Sequence, residues 1–193
     1  MTEIGLTGNI GSGKTTVCRI FESLGIPVFY SDLEAKKLYS IQEVKQQIRQ
    51  TLGDEVFNSD YEVDFKKLAS VIFSDKNALD FINNLIHPLV FERYTRWKNN
   101  NAPAPYIIHE SAILFEHHLE TRFQKTIVVY CPEKLRIQRV IRRDGIPEKE
   151  IVRRISNQMN DQEKNRLADH IIRNDGKEML IPQVMKLHSK LCC

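Results

Sequence analysis

GLTGNIGSGKTTV, residues 5–17, is the stretch of this sequence that decides its fold. From Gly8 to Thr15 it matches the pattern GxxxxGK followed by Ser or Thr at every fixed position. A loop that closes around phosphate needs residues whose main chain adopts positive φ angles and comes close to the anion, and glycine meets both needs. An apolar run precedes the loop and an amphipathic stretch follows it. The segment therefore predicts a strand, a phosphate-binding loop and a helix.

The residues of this loop have distinct expected contacts with a magnesium nucleotide. The main-chain amides from Gly11 to Thr16 are predicted to point at the phosphates, where the dipole of the following helix also favours negative charge. Lys14 is expected to reach the β- and γ-phosphates, and the Thr15 hydroxyl is expected to bind Mg²⁺. A glycine-rich turn that merely joins a strand to a helix is the plain alternative. The predicted nucleotide-binding residues of the loop are Gly8, Gly11, Ser12, Gly13, Lys14, Thr15 and Thr16.

Short apolar runs alternate with helical stretches along the rest of the chain. Because strands that alternate with helices form parallel sheets covered on both faces, we predict an α/β fold of three layers around a central parallel sheet of five strands. The 193 residues suit one domain of this kind. The predicted strands lie at 4–6, 26–30, 106–109, 126–130 and 170–172.

Three regions are distinguished within this predicted domain. The core comprises about 1–31, 104–135 and 167–193, and a helical region at about 32–103 is interrupted by a polar loop and by Pro88. A basic region at about 136–166 contains a break at Gly145 and Pro147, which suits a hinged lid that excludes water from the site.

Composition narrows the class of protein. With 28 basic and 25 acidic residues, the net charge of +3 indicates no dedicated nucleic-acid surface. The chain has neither an apolar run of about 18 residues nor a basic, apolar leader, so we expect a cytoplasmic protein with no membrane partner. The cysteines lack zinc-site spacing and indicate a reducing compartment. The terminal Cys192–Cys193 pair lacks the context of a lipid anchor.

Side chains outside the loop favour a kinase of small molecules over other nucleotide-binding classes. A GTPase would carry an NKxD motif, which this sequence lacks, and motors usually need a longer chain. Asp32 follows the second predicted strand, where it is either a catalytic base or the N-cap of the next helix. Arg136, Arg139 and Arg143 share one helix face and could converge on phosphates, although a charged run is more often a solvated face.

Six segments in order resemble the dephospho-coenzyme A (dephospho-CoA) kinase family, and the resemblance runs nearly end to end. They are GLTGNIGSGKTTV, SDLEAKKLY (31–39), NLIHPLV (84–90), ESAILFE (110–116), RVIRRDGIPEKEIVRRISNQM (139–159) and ADHIIRNDG (168–176). The resemblance implies that ATP with Mg²⁺ is the donor and that the ribose 3′-hydroxyl of dephospho-CoA is the acceptor. We expect a monomer or a small homo-oligomer.

The resemblance assigns roles to individual residues. It makes Asp32 the catalytic carboxylate, which also contacts the acceptor, and adds Lys14 and Arg143 to the catalytic set. His87 and Leu114 are implied to contact the acceptor. Without the family, His87 is more simply a capping or core histidine. Two further residues, Arg139 and Asn174, are implied to bind the nucleotide, with Asn174 near the adenine; alternatively, Asn174 only starts a turn.

The sequence departs from the family pattern in two places, at Tyr30 and in the segment from Glu110 to Ala112. Tyr30 stands where an acidic residue is common, and Glu110 and Ala112 stand where aspartate and proline are common. Glu110 keeps a carboxylate, but the longer side chain displaces its charge, so its role stays open. Two rival hypotheses remain at this stage: a kinase for another small acceptor, such as a nucleoside or a sugar acid, and a nucleotide-sensing module without chemistry.

Overall fold

The computed structural model describes residues 1–101 and 103–192, with Phe73 described through its main chain only. Cys193, the second residue of the terminal cysteine pair, lies outside the described residues. The chain forms two compact units, one made of Met1–Tyr30 and Asn101–Cys193 and the other of Ser31–Asn100. Within the described ranges, no helix is both long and apolar enough to span a bilayer.

The first unit is built around a parallel sheet. Its strands are β1 (Thr2–Thr7), β2 (Val28–Tyr30), β3 (Tyr106–Glu110), β4 (Lys125–Tyr130) and β5 (His170–Arg173). They lie in the order β2-β3-β1-β4-β5, and each adjacent pair is parallel. The predicted α/β fold with five parallel strands is thus confirmed for the described part of the chain. Leu6 and Tyr30 are both in register with Glu110, so β1, β2 and β3 end at the same edge.

Helices surround this sheet and make up most of the second unit. In chain order they are α1 (Lys14–Ser23), α2 (Ser31–Leu38), α3 (Gln42–Leu52), α4 (Phe65–Ser74), α5 (Lys76–Asn100), α6 (Glu133–Asp144), α7 (Glu148–Ser156), α8 (Asp161–Leu167) and α9 (Leu180–Leu191). Single 3₁₀ turns at Asp54–Val56 and Leu119–Arg122 complete the set within the described residues. The predicted break after α6 is observed, because Gly145 ends that helix with a φ of 66°.

Alternating side chains of the strands divide between the two faces of the sheet. On one face, Ile4 and Leu6 of β1 belong to a buried cluster with Val17 and Phe21 of α1 and with residues of α9. On the other face, Val128 of β4 packs with the segment that follows β3, and α8 contacts β4. Layers cover both faces, as the alternation of strands and helices predicts.

His109 is buried on the second face, between the rings of Phe29 and Phe123, whose centroids lie 5.2 and 5.1 Å from its own. Burial, with a further contribution from the Arg122 charge, lowers the pKa of His109 from 6.5 to about 4. The folded protein therefore keeps this imidazole neutral at pH values where the unfolded chain binds a proton.

The free energy of unfolding is expected to fall by about 2 to 3 kcal/mol as the pH drops from about 6.5 to about 4 through this group. The sign follows because the unfolded state binds more protons across that interval, so stability rises with pH. Urea unfolding at several pH values measures the slope. His109→Phe should flatten it, while His118→Asn, at a side chain that is 87% exposed, should leave it unchanged. An equal slope in His109→Phe would contradict the assignment.

The second unit is organised around the long helix α5, which contacts α2, α3 and α4. Pro88 lies inside α5 without ending it, so the predicted interruption at this proline is wrong. A proline removes one main-chain hydrogen bond, and here the packing on both sides of it keeps the helix continuous. The buried residues of α5 recur every four positions, at Ala78, Ile82, Ile86, Val90 and Tyr94.

Candidate active site

The phosphate loop connects β1 to α1, and its glycines are required by both conformation and space. Gly11 and Gly13 have φ angles of 77° and 94°. A Cβ atom on Gly11 would lie 2.7 Å from the carbonyl oxygen of Arg136, and one on Gly13 would lie 2.1 Å from the side-chain nitrogen of Asn174. The glycines of the sequence motif therefore lie where neither the φ angle nor the surrounding atoms allow a side chain.

Main-chain amides of the loop are available to an anion. The amides of Gly11, Gly13, Lys14 and Thr15 make no hydrogen bond within the part of the chain that the structure describes. Two others from the predicted set are engaged, since the Ser12 amide donates to Asn9 and the Thr16 amide donates to Gly13, each at 3.0 Å. The loop and the first turn of α1 therefore present four open donors beside the positive end of the helix dipole.

Lys14 lies against the loop that it is predicted to serve. Its ammonium donates to the carbonyl oxygen of Gly8 at 2.9 Å and lies 3.6 Å from the Glu110 carboxylate. Both side chains are largely buried. The parallel register of β1 and β3 brings Glu110 to this place, because it is the last residue of β3. The carboxylate whose role the sequence left open is thus a neighbour of Lys14.

Two side chains near Glu110, Cys18 and Tyr30, are held in their neutral forms. Burial raises the pKa of the Cys18 thiol, and the nearby charge of Glu110 raises it further, so this cysteine stays protonated. Burial also raises the pKa of Tyr30, and a hydrogen bond with Glu22 contributes. Tyr30 therefore supplies a neutral hydroxyl at the end of β2, where the family pattern often has a carboxylate.

Asn174 and Arg139 are brought to the loop, as their predicted nucleotide-binding roles require. The Asn174 side chain donates to the carbonyl oxygen of Ser12 at 2.7 Å, and Arg139 donates to the Asn174 side-chain oxygen at 3.2 Å. The turn after β5 is closed instead by Asp175, which accepts hydrogen bonds from two following amides. Asn174 is thus committed to the phosphate loop and does more than start a turn.

The expectation that three arginines of α6 converge on phosphate is wrong for Arg136. Its side chain is 1% exposed and donates to the main chain of Cys131 at 3.0 Å and to the Asp161 carboxylate at 2.8 Å. Spacing along a helix identifies a shared face but does not tell whether that face points to the core. Arg143 is 65% exposed and pairs with Asp144 at 2.7 Å, and no described contact joins it to the loop.

Sequence reasoning missed the partners that hold the outer part of the loop. The Ile10 amide donates to the Gln158 side-chain oxygen at 2.9 Å, and the Asn9 side chain donates to Asp161 at 2.8 Å. In the sequence, Gln158 is one position of the segment 139–159 that carries the family resemblance. Nothing in the spacing of these residues signals a contact across about 150 positions of sequence.

Three further predicted residues, Leu114, Asp32 and His87, lie outside the phosphate loop and its hydrogen-bond partners in the sequence. Leu114 is 0% exposed and packs with Phe115 and Val128, so its place is that of a core residue and substrate contact through it stays a prediction. Asp32 and His87 belong to the second unit, in α2 and α5. Asp32 is exposed in the first turn of α2, which begins one residue earlier, so it is not the N-cap of this helix. The roles of both remain predictions.

The family model for dephospho-CoA kinases matches residues 2–179 of this chain. A dephospho-CoA kinase of Bacteroides fragilis (strain YCH46) is 37% identical over 186 residues, which cover 96% of this chain and 90% of that protein. The chain belongs to the dephospho-CoA kinase family. Membership confirms the family predicted from the sequence and makes the chain a kinase, so the hypothesis of a sensing module without chemistry is set aside.

Solved structures agree with the observed fold. A crystal structure of a protein from Thermus thermophilus superposes with a TM-score of 0.88 at 30% identity, covering 98% of this chain and 96% of that chain. A shikimate kinase from Acinetobacter baumannii in complex with shikimate superposes with a TM-score of 0.57 at 16% identity, covering 99% and 93%. The second likeness shows the fold alone. This chain and that shikimate kinase thus have a similar fold.

The two departures from the dephospho-CoA kinase pattern are spatial neighbours. Tyr30 and Glu110 are register partners on adjacent strands, at the edge where the phosphate loop begins. A neutral hydroxyl therefore stands beside a longer carboxylate at this edge. We treat the two residues as one coupled feature of this family member, because residues in contact seldom contribute independently.

Proposed function

We propose that this chain transfers the γ-phosphate of ATP to the ribose 3′-hydroxyl of dephospho-CoA, which completes coenzyme A. The observation that carries the proposal is the set of four open amides on the phosphate loop, with Lys14 beside them. Family membership supplies the acceptor, and the loop supplies the donor site. The free cysteines Cys18, Cys131 and Cys192 support the proposed cytoplasmic location.

Lys14 and the loop amides have separate roles in this proposal. The amides of Gly11, Gly13, Lys14 and Thr15 bind phosphate oxygens. When ATP binds, the Lys14 ammonium leaves the Gly8 carbonyl oxygen and donates to the β- and γ-phosphates. The exchange replaces a neutral acceptor by charged oxygens, which bind an ammonium more strongly. Asn174 donates to the Ser12 carbonyl and accepts from Arg139, and the two side chains are proposed to contact the base and the α-phosphate of the nucleotide.

The residues present suit Mg²⁺, although no group of three His, Cys, Asp or Glu side chains in the described residues is arranged to hold a metal alone. Mg²⁺ prefers oxygen ligands, retains several waters and typically takes one or two protein oxygens together with phosphates. The exposed Thr15 hydroxyl would supply one oxygen, and Glu110 would accept from a bound water. When bound, Mg²⁺ would neutralise charge on the transferring phosphoryl group.

Asp32 is proposed to orient the 3′-hydroxyl and accept its proton. Two supports exist: it comes two residues after the end of β2, and the family resemblance assigns it this role. Ligands of open α/β sheets bind beyond the carboxyl ends of the strands. His87 in α5 is proposed to contact the acceptor, and Arg143 is proposed to reach the phosphates only when the part of the predicted lid next to the break at Gly145 closes. We also propose that the enzyme acts as a monomer or a small homo-oligomer.

An acceptor panel tests the proposed reaction. The full chain is incubated with γ-labelled ATP and Mg²⁺ and with dephospho-CoA, adenosine, shikimate or gluconate in parallel. We expect kcat/KM for dephospho-CoA to exceed that of every other acceptor by at least about 100-fold, because a site that hydrogen-bonds its substrate rejects analogues strongly. Equal or better labelling of a nucleoside or a sugar acid would overturn the acceptor assignment.

A further inference from the structure

Five residues form what we call the loop clamp: Asn9 and Ile10 of the phosphate loop, and Arg136, Gln158 and Asp161. Gln158 accepts from the Ile10 amide at 2.9 Å, and Asp161 accepts from the Asn9 side chain at 2.8 Å. The Asn9 side chain also donates to the carbonyl oxygen of Met159 at 3.1 Å. The outer part of the loop is therefore bound to a short segment that follows α7.

Asp161 is itself fixed by a buried cation. Its second oxygen accepts from Arg136 at 2.8 Å, and Arg136 is nearly completely buried and also donates to Cys131. A buried guanidinium requires a paired carboxylate, because an uncompensated buried charge costs several kcal/mol. Asp161 therefore has a buried partner besides the loop, and the pair of Arg136 and Asp161 is a support to which the loop attaches.

The loop clamp holds the residues that precede the four open amides, which we call the phosphate cradle. Ile10 directly precedes Gly11, the first of these donors, so the bond to Gln158 fixes the peptide that leads into the cradle. A glycine-rich loop loses conformational entropy at each residue when it is ordered. A loop that is ordered before the nucleotide arrives does not incur that cost on binding.

We propose that Gln158 is a positioning residue for ATP: its side-chain oxygen holds the Ile10 amide and thereby pre-forms the phosphate cradle. The inference rests on the proposed function only in requiring that phosphates bind to this loop. Asp161 supports the same loop through Asn9. A purely structural reading, in which these bonds only anchor the segment after α7, predicts a change in stability without a selective change in phosphate binding.

Gln158→Met tests the inference, because methionine has a similar length but no acceptor oxygen. We expect the Kd for ATP to rise about fivefold to tenfold, as the loss of one net hydrogen bond predicts, with kcat at saturating ATP within about twofold. The KM for dephospho-CoA and the Kd for adenosine should stay unchanged, since neither depends on the phosphate cradle. Asn157→Met, at the exposed neighbouring position, is the matched control and should bind ATP as the wild type does.

Asn9→Ala removes the bonds to Asp161 and to the Met159 carbonyl from the loop side and should also weaken ATP binding severalfold. Wild-type ATP affinity in both Gln158→Met and Asn9→Ala would overturn the inference. Equal weakening of ATP and adenosine, or a fall in Tm above about 5 °C with no selective loss of ATP, would support the structural reading against it. Because these readouts are binding constants for ATP, they stay informative even if dephospho-CoA proves not to be the acceptor.

Discussion

Replacing Asp32 by asparagine is expected to lower kcat about 10²- to 10⁴-fold, the contribution of a positioned general base. Asparagine keeps the size of the side chain but accepts no proton from an attacking hydroxyl. Asp32 is exposed and is not among the proposed nucleotide contacts, so the Kd for ATP should stay within about threefold. Single-turnover transfer from labelled ATP to dephospho-CoA measures the chemical step, and equilibrium titration measures the affinity.

Asp80→Asn is the matched control for this substitution, because Asp80 is also an exposed aspartate of the second unit. It should turn over at the wild-type rate. Near-normal turnover in Asp32→Asn would remove Asp32 as the base. A parallel loss of ATP binding would instead indicate that the carboxylate is part of the nucleotide site.

Lys14→Ala is expected to lower kcat/KM for ATP by at least about 10²- to 10³-fold, the usual cost of removing one preorganised donor to developing charge. The Lys14 ammonium donates to the Gly8 carbonyl oxygen and lies near the Glu110 carboxylate, so it is held against the phosphate loop. Lys177→Ala, at an exposed lysine after β5, serves as the control and should leave both constants unchanged. Activity above about a tenth of the wild-type value would contradict the assigned role.

Part of the effect of Lys14→Ala has a second possible cause, because the substitution also removes a cationic neighbour of the buried Glu110 carboxylate. The double variant Lys14→Ala with Glu110→Gln separates the two causes. We expect the double variant to recover thermal stability but not turnover. Recovery of turnover would show that the lysine mainly neutralises Glu110 and does not act on phosphate.

Local patterns made the sheet and the loop predictable. The match from Gly8 to Thr15 is a contiguous motif whose glycines are required by the loop's own φ angles, and each predicted strand is a short apolar run. Pro88 shows the limit of local rules. A proline lowers the stability of any helix, but the packing of the buried α5 residues on either side of it outweighs that cost.

Long-range contacts account for what the sequence did not reveal. The arginines at 136, 139 and 143 look alike in a helical projection, yet one is buried against Asp161, one reaches Asn174 and one is exposed. Which side of α6 faces the core depends on the sheet and on the loop after β1. The bond between Ile10 and Gln158 likewise joins residues 148 positions apart, and no periodicity encodes it.

The most direct test of this account is a crystal structure with a non-hydrolysable ATP analogue, Mg²⁺ and dephospho-CoA bound. We expect phosphate oxygens on the amides of Gly11, Gly13, Lys14 and Thr15, with the Lys14 ammonium moved from the Gly8 carbonyl to the phosphates. The 3′-hydroxyl should lie within hydrogen-bonding distance of Asp32. A triphosphate bound elsewhere, or an Asp32 carboxylate turned away from the terminal phosphate, would contradict the account.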